Sequence, residues 1–246
     1  MSPPDRRQFL QVSAAASAGL ALADASATAT TAARQKVSFA LVGCGGRGRH
    51  VAKVFQADPQ VTLSWVCDVD SRRLSEGRKL GGPGTRSSND LREVLADKSL
   101  DAVLVATPDH WHGTMAIAAL EAGKHVFVEK PLCLDVEEAR SLGAKAKKLG
   151  KILMVGHLLR YHPAFRAMQG VVEAGVIGSL RYIYSNRLNL GQIRQEENAL
   201  WSFAPHDISM ILALSGSMPE RVICGGGAYL NESVADTTMS YLHFPG

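Results

Sequence analysis

The sequence predicts an α/β protein: a doubly wound parallel sheet with helices on both faces, followed by a smaller α+β domain. Three observations carry this prediction. Apolar runs and helical stretches alternate from residue 36 to about residue 156. The apolar runs are continuous, as in strands that are buried on both faces. A glycine-rich turn separates the first run from the first helix, and beyond residue 156 the regular alternation stops.

Each element of the first part has its own local signal. Apolar runs bounded by turn residues predict strands, and the amphipathic stretches between them predict helices. One helix is expected to open at Asp135 with a capping box completed by Glu138, and Gly150 is expected to stop it. The predicted strands are 37–42, 61–67, 102–106, 125–128 and 152–155. The first predicted helix ends near residue 57, and a short helix is expected after residue 88. The other predicted helices are 71–80, 114–121 and 135–149.

The second part gives weaker signals. The expected elements are a helix at 163–174, a strand at 180–186, a polar loop at 190–198, a helix from His206, and strands near Val222 and Thr238. This pattern favours an open, mostly antiparallel sheet, and the final Pro-Gly resembles a turn, so we expect a truncated domain. The predicted division is a signal segment at 1–35, a nucleotide-binding domain at 36–156 and a partial substrate and oligomerisation domain at 157–246.

Composition excludes several classes of protein. The net charge is only +4 and basic residues are scattered among acidic ones, which argues against nucleic-acid binding. No apolar run has membrane length. The four cysteines, at 44, 67, 133 and 224, form no metal-binding or disulfide pattern, so no metal is expected. Cys44 and Cys67 are expected to be small packing residues.

The first 35 residues have the pattern of an export signal. Arg6 and Arg7 precede Phe-Leu, an alanine-rich stretch follows to about Ala23, and small residues come next. This order resembles a twin-arginine signal and implies a periplasmic or secreted protein. The alternative is a disordered tail with a chance Arg-Arg pair.

The glycine-rich turn has the spacing of a dinucleotide site. The sequence G-C-G-G-R-G at 43–48 follows a predicted strand and opens a predicted helix, whose positive end can hold phosphate. An acidic residue at the end of the next strand can bind both ribose hydroxyls, which favours NAD over NADP in a Rossmann domain. Arg72 and Arg73 leave NADP open. The predicted cofactor residues here are Gly43, Gly45, Gly46, Arg47, Gly48 and Asp68.

Two further motifs follow strands and therefore lie at the same sheet edge: T-P-D-H-W-H at 107–112 and E-K-P at 129–131. Together with the glycine turn they resemble the glucose-fructose oxidoreductase / inositol 2-dehydrogenase / MocA family, in which Glu-Lys-Pro supplies the catalytic lysine. The resemblance implies a catalytic Lys130 beside the nicotinamide. It also implies cofactor contacts by Thr107, Pro108, His110, His112, Glu129 and Lys130.

The family also carries a histidine at the start of a helix in the second domain, and His206 matches it. Many members place an aspartate four residues earlier, where this chain has Ser202, so the resemblance does not supply a complete Asp-His-Lys triad. W-S-F-A-P-H-D at 201–207 resembles the branch that acts on UDP-N-acetylglucosaminuronate. The predicted catalytic residues are Lys130 and His206, and the predicted substrate contacts are Arg160, Tyr161, Asn186, Ser202 and Asp207.

These residues predict an NAD(P)-dependent oxidoreductase that moves a hydride between the cofactor and a hydroxyl carbon of a sugar or nucleotide sugar. Lys130 and His206 can serve as oxyanion partner and proton acceptor, with their roles exchangeable. Two alternatives stay open: an NAD-dependent glycosidase that oxidises its substrate transiently, and an inactive exported relative with a binding role. A homo-oligomer formed through the second-domain sheet is expected.

Overall fold

The computed structural model describes residues 36–188, 197–230 and 232–245. The predicted signal segment at 1–35 and most of the predicted loop at 190–198 lie outside these residues. Within them, no helix is both long enough and apolar enough to cross a lipid bilayer. The domain boundary between residues 156 and 157 stays a prediction.

The first part is built on a six-stranded parallel sheet with the order β3-β2-β1-β4-β5-β6. Its strands are β1 (Val37–Val42), β2 (Val61–Cys67), β3 (Arg86–Ser88), β4 (Ala102–Val105), β5 (His125–Val128) and β6 (Leu153–Val155). The strand order reverses between β1 and β4, which is the switch point where doubly wound sheets bind ligands. The predicted doubly wound parallel sheet is confirmed.

The register aligns the carboxyl ends of the central strands. Val42 pairs with Cys67 of β2 and with Val105 of β4, and Val105 pairs with Val128 of β5. Val128 in turn pairs with Val155 of β6. Because the last residues of five strands stand at one level, the loops that follow them begin side by side.

Five helices connect these strands: α1 (Gly46–Gln56), α2 (Ser71–Arg78), α3 (Leu91–Ala96), α4 (His112–Glu121) and α5 (Val136–Lys148). An aspartate side chain caps three of them, at Asp70, Asp90 and Asp135. Of the capping box predicted for α5, the bond made by the Asp135 side chain is confirmed, since Asp135 Oδ1 accepts from the Glu138 amide at 2.8 Å. Gly150, at φ +62°, takes the left-handed conformation just past this helix.

The continuous apolar runs are explained by burial on both faces of the sheet. In β1, Phe39 and Leu41 pack into one apolar cluster, and Ala40 and Val42 pack into the other. Fully burying one such large side chain contributes about 1.5–3 kcal/mol. Cys44 and Cys67 are buried free thiols within these clusters, which confirms their predicted packing role.

The second part contains α6 (Pro163–Glu173), α7 (Ala199–Ser215) and an antiparallel pair, β7 (Arg221–Gly227) and β8 (Thr237–His243). The prediction of a strand at 180–186 is wrong. Those residues have no ladder partner among the described residues, and a strand forms only by pairing with a neighbour.

The prediction that a helix begins at His206 is also wrong, because α7 begins seven residues earlier, at Ala199. Asn198 caps this earlier start by accepting from the Trp201 amide at 3.0 Å. Pro205 therefore lies inside the helix, where it removes one amide donor without ending the helix. His206 occupies the middle of α7 rather than its first turn.

Candidate active site

The glycine turn after β1 requires glycine at two positions for steric reasons. Gly43 has φ +91°, and a Cβ there would lie 2.4 Å from the carbonyl oxygen of Ala106. A Cβ on Gly48 would lie 2.1 Å from the Gly43 carbonyl oxygen. Because glycine has no Cβ, the turn can lie close against the end of β4, and α1 can lie close to the end of β1.

The other two glycines of the turn face open space. A Cβ on Gly45 or Gly46 would meet no protein atom within 4 Å. Gly45 is the N-cap of α1 and makes no side-chain capping bond, and the first turn of α1 carries no acidic residue. The positive end of α1 is therefore open to an anion, which fits the pyrophosphate of a dinucleotide.

Asp68 stands beside this turn at the end of β2. Its Oδ2 accepts from the Cys44 amide at 2.7 Å, and its Oδ1 accepts from the Asp70 amide at 2.9 Å. These two bonds fix the carboxylate next to the glycine turn. The position is the one at which an acidic residue of this fold binds ribose hydroxyls.

Arg47 joins the glycine turn to the loop after β5. Its Nε donates to Glu129 Oε1 at 2.8 Å, and its terminal nitrogen lies 2.8 Å from the same oxygen. The Glu129 side chain is only 7% exposed. The arginine thus neutralises a buried carboxylate that immediately precedes Lys130.

His112 lies beneath the site and is almost fully buried. One ring nitrogen faces the Pro131 carbonyl oxygen at 2.6 Å, and the other faces the Thr107 carbonyl oxygen at 2.9 Å. It therefore bridges the loops after β4 and β5. His110 is exposed beside Trp111, with ring centroids 5.7 Å apart. The cofactor contacts expected from both histidines stay predictions.

Lys130 reaches from the loop after β5 to the start of α7. Its Nζ donates to the Ser202 carbonyl oxygen at 3.2 Å and lies 3.8 Å from Glu197 Oε1. The peptide bond from Lys130 to Pro131 is cis. The structure therefore brings Lys130 together with the helix that carries Ser202 and His206.

Two partly buried histidines flank this lysine. Burial lowers the pKa of His206 below its usual 6.5, and Lys130, Arg187 and His157 lower it further, against an opposing effect of Asp207. Burial likewise lowers the pKa of His157, with contributions from Arg160 and Lys130. Both imidazoles are therefore neutral at pH 7, the form that can accept a proton.

Four buried polar atoms have no hydrogen-bond partner in the described part of the chain, and one of them, Glu197 Oε1, is the atom that lies 3.8 Å from Lys130 Nζ. Buried polar groups normally are paired, so such atoms indicate a place for water or a polar ligand. They belong to four side chains: Thr107 Oγ1, His157 Nδ1, Glu197 Oε1 and His206 Nδ1.

The remaining predicted substrate residues lie in different surroundings. Arg160 and Tyr161 belong to a short 3-10 turn after β6, and Tyr161 and Asn186 are exposed. The Asp207 carboxylate accepts from Arg187 Nε at 2.6 Å and from the Ser185 hydroxyl at 2.8 Å. Asp207 therefore links α7 to Ser185 and Arg187.

Sequence reasoning missed two residues of the site, His157 and Glu197. His157 follows β6 by two positions, so its place at the carboxyl edge could have been inferred as it was for Lys130. Glu197 comes from the region just before α7, and no local pattern marks it. Only the packing of α7 against the loop after β5 brings it to Lys130.

A family model described as an oxidoreductase family with an NAD-binding Rossmann fold matches residues 37–157. A second model, for a twin-arginine translocation signal sequence, matches residues 3–23. The predicted export signal is thereby confirmed in sequence, although it lies outside the described residues.

Curated relatives and solved structures agree with the family match. The chain is 38% identical to scyllo-inositol 2-dehydrogenase (NAD(+)) of Bacillus subtilis (strain 168), over 85% of the chain and 64% of that protein. It is 30% identical to UDP-N-acetylglucosamine 3-dehydrogenase of Acidithiobacillus ferrooxidans, over 82% of the chain and 61% of that protein. The chain thus spans less than two thirds of the length of either relative.

A solved structure, GenD2 from gentamicin A biosynthesis in complex with NAD, superposes with a TM-score of 0.74 at 26% identity. The alignment covers 85% of this chain and 63% of that one.

Proposed function

From the premise that this chain belongs, through residues 37–157, to the Gfo/Idh/MocA oxidoreductase family with its NAD-binding Rossmann fold, we propose that it oxidises a hydroxyl carbon of a sugar or cyclic polyol. The observation that carries the proposal is the position of Lys130. Its ammonium group lies among two neutral histidines and several unpartnered polar atoms, at the carboxyl edge of the sheet.

The glycine turn, the open end of α1 and Asp68 are the residues that would hold the dinucleotide. When bound, NAD would supply the acceptor for the hydride that leaves the substrate carbon. Asp68 favours NAD because its carboxylate repels a 2′-phosphate. Arg72 is exposed and its terminal nitrogen pairs with Asp70.

Proton transfer falls to the histidine and charge stabilisation to the lysine. Oxidation of an alcohol releases a proton from the hydroxyl oxygen, and Nδ1 of neutral His206 is unpartnered and able to accept it. The Lys130 ammonium would donate a hydrogen bond to the same oxygen while negative charge develops there. Thr107 and His157 offer further polar contacts to a substrate that carries several hydroxyls.

The export signal adds a requirement on the cofactor. A periplasmic enzyme has no external pool of nicotinamide nucleotide, so we propose that the chain folds around its nucleotide before export and retains it. The hydride taken from the substrate would then pass to the carbonyl carbon of a second sugar, or return to the same sugar in a glycosidase cycle, which regenerates the bound NAD. Tight binding would also stabilise the native state. Protein purified without added nucleotide and then denatured should release close to one equivalent. Release of none, with binding only at millimolar NAD, would contradict retention.

One experiment separates the proposed activity from its alternatives. The natural full-length protein is incubated with NAD and with inositols, free sugars or UDP-sugars, and NADH formation is followed by absorbance. A parallel set contains p-nitrophenyl glycosides. Nicotinamide reduction supports the oxidoreductase, aryl release without net reduction supports the glycosidase, and neither signal with intact NAD binding supports a binding protein.

A further inference from the structure

We infer that Glu197 is the carboxylate that positions the Lys130 ammonium group, so that Lys130 acts as hydrogen-bond donor and a histidine acts as base. This inference rests on the proposed function. The position four residues before His206 carries Ser202, which has no charge to offer. The structure supplies a carboxylate from elsewhere, because Glu197 Oε1 lies 3.8 Å from Lys130 Nζ.

Both partners are shielded from solvent, which strengthens the interaction. The Lys130 side chain is 18% exposed and the Glu197 side chain 24% exposed. Coulomb attraction at this separation grows as water is excluded, so the pair is stronger here than on an open surface. The unpartnered Glu197 Oε1 has no hydrogen bond in the described residues to compete for its charge.

The backbone around the pair fixes its geometry. Glu197 directly precedes Asn198, whose side chain caps α7, and Lys130 Nζ donates to the Ser202 carbonyl oxygen in the first turns of that helix. The lysine therefore has one fixed acceptor on α7 and a carboxylate just ahead of α7. A third hydrogen on the ammonium remains available to a substrate oxygen.

This arrangement assigns the two exchangeable roles. Attraction to the Glu197 carboxylate would hold the Lys130 ammonium group where it can donate a hydrogen bond. The positive charge of Lys130 in turn helps to hold His206 and His157 neutral. Other charged groups around this cluster are Glu129, which is paired with Arg47, and Arg160, Arg187 and Asp207.

The test compares Glu197→Gln and Glu197→Asp with the matched control Glu173→Gln, an exposed carboxylate at the end of α6. The rate of Lys130 acetylation by acetic anhydride is measured by peptide mass spectrometry at one fixed pH. An amine that is held against α7 reacts more slowly than a released one, so the rate reports how firmly Lys130 is held. This readout requires no turnover.

We expect Glu197→Gln to raise the acetylation rate of Lys130 about tenfold, because the carboxylate that attracts the side chain is gone, with Glu197→Asp intermediate and Glu173→Gln unchanged. In turnover, kcat should fall about tenfold while KM changes little. An unchanged acetylation rate in Glu197→Gln overturns the inference. If the wild type oxidises no sugar or polyol, the proposed function fails while the acetylation rates still decide the role of Glu197.

Discussion

The two parts of the chain differ in how they are held. In the first part, every long strand is buried on both faces and the sheet separates two apolar clusters. In the second part, the buried residues among those described are Phe165 and Ser202, and β7 is exposed along nearly its whole length. The first part is specified by its own core, whereas the second part has almost no buried core among the described residues.

The candidate site lies where the two parts meet, at the loop after β5 and the first turns of α7. The first part contributes rigid loop positions, fixed by strand register and glycine contacts. The second part contributes α7, whose polar groups meet Lys130.

The largest effect is expected from Lys130→Ala. Removing the ammonium should lower turnover by at least about 100-fold, the usual loss for a positioned acid, base or oxyanion group. NAD affinity should stay within a few fold, because the glycine turn is untouched. Steady-state kinetics measure the turnover, and a fluorescence titration measures the NAD affinity. Lys148→Ala, at an exposed lysine, serves as the control. A variant that retains more than a tenth of wild-type turnover would refute the role of Lys130.

Gly48→Ala and Gly45→Ala form a matched pair within the first part. The Gly48 variant places a Cβ 2.1 Å from backbone, so it should lose about 1–3 kcal/mol of stability and most NAD binding. The Gly45 variant meets no protein atom and has an ordinary φ of −64°. It should keep its melting temperature without cofactor and lose about tenfold in NAD affinity. Wild-type affinity in Gly45→Ala would contradict the phosphate site.

Asp68→Ser should narrow the preference for NAD over NADP by about tenfold, because the carboxylate no longer repels a 2′-phosphate. Asp68→Asn removes the charge and keeps one of the two backbone bonds, since its amide oxygen can still accept from the Cys44 amide while its NH2 group cannot accept from the Asp70 amide. Dissociation constants for both cofactors are measured for all three proteins. Equal affinities in the wild type would indicate that Arg72 or Arg73 controls the pocket.

The smallest effect concerns the cysteines. Burial and nearby Asp68 raise the pKa of Cys44 to about 12, burial and Asp68 raise that of Cys67 to about 11, and burial raises that of Cys133. Cys224 is exposed on β7. Native protein at pH 8 should therefore show one fast thiol toward Ellman's reagent and three slow ones. Cys224→Ser should remove the fast phase, and a second fast thiol would show that the first part opens.

The sequence predicts the first part well because its signals are local. Each central strand is a buried apolar run, and each capped helix has its aspartate in place. β3 escaped prediction because Arg-Ser-Ser carries no apolar pattern and becomes a strand only by pairing with β2. The parallel sheet could be predicted, but its polar edge strand could not.

In the second part, local signals conflicted with tertiary structure. The predicted helix start was His206, which directly follows Pro205. In the structure, α7 begins before Pro205, because Asn198 caps the helix and its first turns pack against the loop that carries Lys130. The apolar and aromatic residues at 180–186 suggested a strand that has no neighbour among the described residues. For the site, Lys130 and His206 could be predicted from motifs, and Glu197 could not, because it meets Lys130 across 67 positions.

The pair of Arg47 and Glu129 has a consequence for sequence divergence. A lone substitution at Arg47 would leave a 7% exposed carboxylate without its counter-charge, and a lone substitution at Glu129 would free an arginine beside the nucleotide turn. Substitutions at Arg47 and Glu129 are therefore expected to be tolerated together and not singly. A library randomised at both positions and selected for folded protein should return oppositely charged or jointly neutral pairs, and few sequences with one charge alone.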